Sequence, residues 1–135
     1  MPGLGRTDDR TFVSAFQQID TAIVGPFLLV FFFGPLIATV VAAGLHLGSD
    51  EQSRLPWIGA ALGLQIAMAV ITLRVNVPLN DSIKAAGDPS QIEDVAAVRE
   101  SFNESRCVTW NIVRAVAATV AFGCLAWALV LHGDA

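Results

Sequence analysis

The feature that most constrains this chain is a set of three long stretches without a charged residue. Residues 21–49, 55–73 and 115–133 contain no Asp, Glu, Lys or Arg. A helix needs about 20 such residues to cross the roughly 30 Å hydrocarbon core of a bilayer. None of the three stretches has the polar face that a helix on a small soluble protein turns to water. The sequence therefore predicts an all-α, transmembrane helical bundle with three spans, at about residues 22–47, 55–77 and 111–131.

A short amphipathic helix is predicted before the first span, at about residues 8–20. Apolar residues recur there at helical spacing and form one face: Phe12, Phe16, Ile19 and Ile23. The polar residues are expected to face water: Arg10, Gln17, Gln18 and Asp20. Thr7 or Asp8 can accept a hydrogen bond from the first turn and cap the helix.

A second amphipathic helix is predicted after the second span, at about residues 90–103. The run Asp88-Pro89-Ser90 is a turn and helix-start signal, and an apolar stripe follows it.

Some residues within the second span have specific expected roles. Gly59 and Gly63 are four residues apart and predict a face that lets another backbone approach closely. Gln65 lies near the middle of the span and should face another helix, because an amide in lipid is costly. At the end of the span, Pro78 is expected to open the helix and to bias Val77 away from helical geometry.

The composition excludes several functional classes. The net charge is −4 and the chain has no basic run, so nucleic acid is not an expected partner. Metal-ligand spacing, a phosphate-binding loop and a haem attachment motif are all missing from the sequence, which predicts no metal and no cofactor. Cys107 and Cys124 are expected to be small apolar side chains, and His46 and His132 to lie at membrane interfaces.

The basic residues predict the orientation in the membrane. Three spans place residues 1–20 and 74–114 on one side, and seven of the eight Lys and Arg residues lie there, with Arg54 as the exception. Cytoplasmic loops carry such an excess of Lys and Arg. We therefore expect a multi-pass protein of the cell membrane, a single membrane-helix domain over residues 1–135, with residues 1–20 and 78–110 in the cytoplasm.

Two short polar runs border the spans on that side, residues 74–81 and residues 110–114. Arg114 lies about one turn into an apolar helix, and an ionisable residue at such a depth usually faces an interior partner. Asp81 is the nearest plausible counter-ion. We predict an Asp81–Arg114 ion pair, flanked by the amides of Asn76, Asn80 and Asn111. Individually, these residues could also be helix caps or interfacial anchors.

The two runs also carry a family resemblance. Asn76-Val77-Pro78-Leu79-Asn80-Asp81, followed by Trp110-Asn111-x-x-Arg114, resembles the anthrone oxygenase-like family of small membrane proteins. The family pattern has four membrane helices, so we expect the first to be encoded upstream of Met1 or supplied by another chain. Many members have a histidine where this chain has Ile112, so a histidine base is not expected here.

The resemblance implies oxidation of an anthrone to an anthraquinone by molecular oxygen, without metal or flavin. Asp81 would then be the base that removes a proton from the substrate, and Arg114 and Asn111 would stabilise the oxyanion. Trp110 would stack on the flat substrate, and Asn76 and Asn80 would bind it. Catalysis by Asp81 competes with its pairing to Arg114, and we favour the pair.

Two functions remain open at this point. One is a membrane-embedded oxygenase of a planar, lipophilic aromatic substrate. The other is a non-catalytic subunit or assembly partner of a larger membrane complex. The expected partners are the lipid bilayer, a hydrophobic aromatic substrate, and other copies of this chain or different chains in an oligomer.

Overall fold

The structure is a computed structural model that describes residues 3–23, 26–48 and 52–133. Within these ranges the secondary structure is helical, without strands, which confirms the predicted all-α class. Short 3-10 turns at Leu4–Arg6 and Gln52–Arg54 precede α1 and α3. The α-helices are α1 (Asp9–Ile23), α2 (Pro26–His46), α3 (Leu55–Ile71), α4 (Val77–Ala85), α5 (Val95–Phe102) and α6 (Glu104–Gly133).

Two helical stretches among the described residues are long and apolar enough to cross a membrane, Leu55–Ala85 and Val95–Gly133. Only 11% of the most apolar window of each is buried, whereas the core helix of a soluble protein would be covered by its own chain. A third apolar segment, Val30–His46 within α2, is shorter. Two of the three predicted spans are therefore supported by length and composition.

The chain divides into two compact units. The first unit contains Met1–Phe27 and Ile71–Ile112, and the second contains Leu28–Val70 and Val113–Ala135. The first unit has a hydrophobic core to which α1, α4, α5 and the start of α6 all contribute. Its buried members are Phe12, Val13, Phe16, Ile83, Val95, Phe102 and Cys107.

Helix α1 confirms the predicted amphipathic helix and the first half of its apolar face, because Phe12 and Phe16 are buried. The second half of the predicted face is wrong, since Ile19 and Ile23 are about half exposed. Val13 and Asp20 complete the buried side instead. The prediction had placed Asp20 in water because it assigned the core face by hydrophobicity alone.

Asp8 is the cap of α1. Its carboxylate accepts hydrogen bonds from the Thr11 hydroxyl at 2.6 Å and from the Thr11 backbone N–H at 3.0 Å. These two bonds lower the pKa of Asp8 below its usual 3.8, and the bond from the hydroxyl has the larger effect. The charged cap also lies at the positive end of the helix dipole.

The Asp8 cap should make stability depend on pH in the acid range. A carboxyl group whose pKa is lowered by folding stabilises the fold above its unfolded value of 3.8, and this contribution disappears as the pH falls through the lower folded pKa. We expect the wild-type melting temperature to fall more steeply below about pH 4 than that of Asp8→Asn. Asparagine is a matched control because it keeps an acceptor at the cap but cannot titrate. If the melting temperatures of the two proteins changed equally with pH, the Asp8 carboxylate would not be the group responsible.

The end of the second predicted span differs from the prediction. Val77 has helical dihedral angles (φ −59°, ψ −51°), so Pro78 does not open the helix. A π-helical segment, Thr72–Asn76, joins α3 to α4, and the N–H of Val77 donates to the carbonyl of Thr72, five residues back. Pro78 then occupies the first turn of α4, where a backbone N–H is not required.

Helix α5 begins later than predicted, at Val95. Asp88 accepts hydrogen bonds from the backbone and hydroxyl of Ser90 and closes a turn there. Asp94 is the actual cap, and its side chain accepts from the N–H of Ala97. The helix ends at Phe102, and the residue after it, Asn103, has a positive φ of 52°. The side chain of Asn103 accepts a hydrogen bond from the N–H of Arg106 in α6.

Arg99 of α5 fixes the segment that precedes α1. Its guanidinium donates to the backbone carbonyls of Gly5 and Thr7 and pairs with Asp9 and Glu104 at 2.9 and 3.2 Å. It also lies 4.3 Å from the centre of a core aromatic ring, that of Phe12. Burial lowers the pKa of Arg99, but the hydrogen bonds and charges of the two carboxylates outweigh this effect and raise it.

In the second unit, Gln65 of α3 donates through Nε2 to the hydroxyl of Thr39 in α2 at 3.1 Å. This contact confirms that Gln65 faces another helix. Among the described residues, a Cβ atom at Gly59 or Gly63 would meet nothing within 4 Å, so the close approach that this face permits stays a prediction.

Candidate functional site

A row of polar side chains lies along one face of α4 and of the end of the π-helical segment before it. Asn76, Asn80 and Lys84 are four residues apart, so successive members lie about one helical turn from each other. The apolar Ile83, which is fully buried in the core, fixes which face of α4 turns inward. The row lies entirely in the first unit.

Asp20 of α1 is the buried carboxylate that contacts this row, whereas the sequence reasoning placed it in water. It is 5% exposed and accepts a hydrogen bond from Asn80 Nδ2 at 2.6 Å. Its other oxygen lies 2.5 Å from Nζ of Lys84. The available signal was spacing, because Asp20 is four residues after Phe16 and seven after Val13, both in the core.

Gln17 reinforces the contact between α1 and α4. Its Nε2 donates to the carbonyl of Ile83 at 2.8 Å and to that of Gly87 at 3.0 Å. These carbonyls belong to the last turn of α4 and the residues after it, where no further helical N–H can pair with them. Gln17 and Asp20 are three residues apart on α1. Gln17 thus binds the backbone at the end of α4, and Asp20 binds side chains of α4.

A second contact joins the two polar runs that carry the family resemblance. Asn76 is 6% exposed, and its Nδ2 donates to Oδ1 of Asn111 in α6 at 3.0 Å. Asn111 Nδ2 in turn lies 3.5 Å from Sγ of the buried Cys107. The sequence reasoning placed Asn76 and Asn111 in one cluster, and their side chains are in direct contact.

Two amide oxygens in this row have unused acceptor capacity. Oδ1 of Asn76 and Oδ1 of Asn80 are buried, and neither accepts a hydrogen bond from any described residue. A buried acceptor without a donor costs free energy, so each is expected to bind a donor when one is supplied. Both oxygens are closed to solvent in this structure, so a hydroxyl group or water would reach them only after neighbouring side chains move.

The other predicted site residues lie as follows. Asp81 is exposed on α4, and among the described residues of its own unit it makes no hydrogen bond or ion pair. Trp110 is half-buried on α6, next to Asn111. Arg114, three residues further along α6, belongs to the second unit. The predicted Asp81–Arg114 pair joins residues of different units and stays a prediction.

Two features of the described residues define the class of this protein: two helical stretches that are long and apolar enough to cross a membrane, and an amide-rich polar row in the first unit. The chain matches the sequence model of the anthrone oxygenase family over residues 27–124. It belongs to that family. The match includes α4 and the start of α6 but begins after α1. Asp20 of α1 therefore lies outside the matched residues. No curated protein and no solved structure matches the chain significantly.

Proposed function

We propose that this protein is a membrane-embedded oxygenase that converts an anthrone, or a similar planar and lipophilic aromatic, to the corresponding quinone. Removal of a methylene proton gives a delocalised anion, which transfers an electron to molecular oxygen. Recombination forms a carbon–oxygen bond, and loss of water from the resulting peroxide leaves the second carbonyl. The balance is one anthrone and one oxygen molecule to one anthraquinone and one water.

The observation that carries this proposal is the hydrogen bond between Asn76 and Asn111. It joins the two motifs of the family within the matched residues, beside buried amide oxygens that lack a donor. A hydroxyl group on the substrate would supply that donor. Asn76 and Asn80 would then bind and orient the substrate, and Trp110 would stack on its flat face.

Asn111 is suited to stabilise negative charge on the substrate oxygen. Its Oδ1 is occupied by Asn76, which fixes the direction of the amide. Its Nδ2 faces the thiol of Cys107, a weak acceptor. An oxyanion would be a far stronger acceptor for the same N–H group. Arg114 would be the second stabilising group in this proposal.

Asp81 would be the base, because no cation in its own unit neutralises it among the described residues. Asp20 has a different place in the proposal. Its charge is compensated by Lys84, and it holds the amide of Asn80. Asp20 is therefore a positioning residue for substrate binding.

An aerobic assay with purified protein and anthrone tests the proposal. Asn111→Ala and Arg114→Ala should each lower kcat about 100-fold, the usual effect of removing one group that stabilises an oxyanion. Arg106→Ala is the matched control, because Arg106 is an exposed cation on the same helix. Oxygen uptake should equal quinone formation. A folded wild type without turnover would instead favour the non-catalytic subunit or assembly role.

We also propose that the chain crosses the cell membrane three times, with residues 1–20 and 78–110 in the cytoplasm. Support comes from the low burial of the apolar helices and from the concentration of basic residues in those segments. Lipid would be the environment of the helices, and other copies or chains could complete the assembly.

Labelling with a membrane-impermeant maleimide tests this orientation. Ser53 and Ser82 are both exposed serines, on opposite sides of the proposed membrane. In a background without native cysteines, Ser53→Cys should react in intact cells, whereas Ser82→Cys should react only after permeabilisation. The reverse pattern would invert the orientation, and equal reaction from outside would exclude it.

A further inference from the structure

Cys107 of α6 lies one helical turn before Asn111 and contacts its side chain. Cys107 is 2% exposed and belongs to the hydrophobic core of the first unit. Its Sγ lies 3.5 Å from Nδ2 of Asn111, and both residues lie in that unit. Packing in the core accounts for a small side chain at residue 107. It does not account for a thiol at the point of contact with an amide.

Two contacts determine the direction of the Asn111 amide. Asn76 is 6% exposed, and its Nδ2 donates to Oδ1 of Asn111 at 3.0 Å. The oxygen of the Asn111 amide is therefore on the side of Asn76, and the nitrogen is on the side of Cys107. Asn111 itself is only half-buried. The side chain is thus held in one direction through its oxygen, while its nitrogen contacts only a weak acceptor among the printed partners of the amide.

The identity of residue 107 sets how strongly the N–H group of Asn111 is occupied. A thiol sulfur is a weak acceptor, whereas a hydroxyl oxygen accepts a normal hydrogen bond. A serine here would have nearly the same size, and its hydroxyl could donate to the backbone carbonyl four residues back while it accepted from Asn111. A ligand would then have to break that bond before it could use the N–H group. A thiol fills the same space without this competition.

We propose that Cys107 is a positioning residue that packs against the Asn111 amide and leaves its N–H group available to an oxyanion. The inference rests on the proposed function, in which that oxyanion is the ionised substrate. Cys107 acts through Asn111. Its effect is therefore expected on the binding of a negatively charged oxygen, and not on the binding of a neutral molecule of the same shape.

Binding of two probes to the protein in nanodiscs, with empty nanodiscs subtracted, tests this role. 4-Nitrophenolate carries the oxyanion, and 4-nitroanisole has nearly the same shape without the charge. Cys107→Ser should bind 4-nitrophenolate about 3- to 10-fold more weakly than the wild type, the value of one neutral hydrogen bond, and 4-nitroanisole equally well. Cys107→Ala has no acceptor and should bind 4-nitrophenolate at least as tightly as the wild type. Cys124→Ser, at the other cysteine of α6, is the control and should change neither affinity.

The difference between the serine and alanine variants separates this role from a purely structural one. Equal losses in both variants would mean that residue 107 acts through packing alone. Unchanged affinity of Cys107→Ser, or a wild type that does not bind 4-nitrophenolate, would also overturn the proposal.

Kinetics with anthrone separate this inference from the proposed function. Cys107→Ser should lower kcat by the same factor at nearly constant KM, because the charge on the oxygen develops in the transition state. A wild type that shows the expected pattern of probe binding but does not oxidise anthrone would contradict the proposed function alone. Turnover by the wild type with equal kcat in Cys107→Ser would contradict the role of Cys107 alone.

The contact itself can be measured without a change at residue 107. The chain has two cysteines, so the S–H stretching band of Cys124→Ala belongs to Cys107. Adding Asn111→Leu should shift this infrared band. An unshifted band in a variant that circular dichroism shows to be folded would mean that Asn111 does not contact the thiol, and it would overturn the proposal even if Cys107→Ser did not fold.

Discussion

Truncation of Phe102 to alanine is expected to lower the free energy of unfolding by about 3–5 kcal/mol. Phe102 is fully buried, and its ring centre lies 4.5 Å from that of Phe16 and 5.8 Å from that of Phe12. These three rings join α5 to α1 in the core of the first unit. Loss of the Phe102 ring would leave a cavity in this core, which its close-packed neighbours could fill only in part.

Denaturant titration followed by circular dichroism would measure this effect. Phe122→Ala is the matched control, because Phe122 is 73% exposed and should change the free energy by about 0.5 kcal/mol or less. If the two variants were equally stable, the aromatic cluster would not be the core of the first unit.

Replacement of Lys84 by methionine is expected to destabilise the protein by about 2 kcal/mol, between the values for exposed and buried ion pairs, because the side chain of Lys84 is 36% exposed while that of Asp20 is 6% exposed. Methionine keeps an unbranched side chain of similar length to the apolar part of lysine but leaves Asp20, which is 5% exposed, without its cation. The hydrogen bond from Asn80 remains, and it compensates only part of a buried charge.

A double-mutant cycle identifies the cause. Asp20→Asn removes the charge but keeps an acceptor for Asn80, so the Asp20→Asn/Lys84→Met variant should recover most of the lost stability. Glu100→Gln changes an exposed carboxylate of the same unit and should have almost no effect. Additive losses in the double variant would mean that Asp20 and Lys84 do not interact in solution.

The sequence allowed the helical class and the positions of most helices to be predicted, because hydrophobicity and cap residues act locally. The differences arise where tertiary contacts override these local signals. Proline at residue 78 normally interrupts a helix, yet the π-helical segment before it moves this residue into the first turn of α4. No propensity at residues 72–76 indicates such a change of hydrogen-bond spacing.

The candidate site shows the same division. Asn76 and Asn111 could be brought together from the sequence, because they belong to two motifs of one family and border neighbouring spans. Asp20 and Lys84 could not, because their pairing depends on how α1 packs on α4. A hydrophobic-face argument places a carboxylate outside the core unless its partner is already known.

The hydrogen bonds of Arg99 restrict the opening motions of the segment before α1. Short segments outside a helix usually open independently and exchange their amide protons quickly. Here the carbonyls of Gly5 and Thr7 are bonded to a side chain of α5, so these residues cannot separate from the core without breaking contacts of α5. Residues 5–9 and α5 therefore open as one cooperative unit, and their exchange rates rise or fall together.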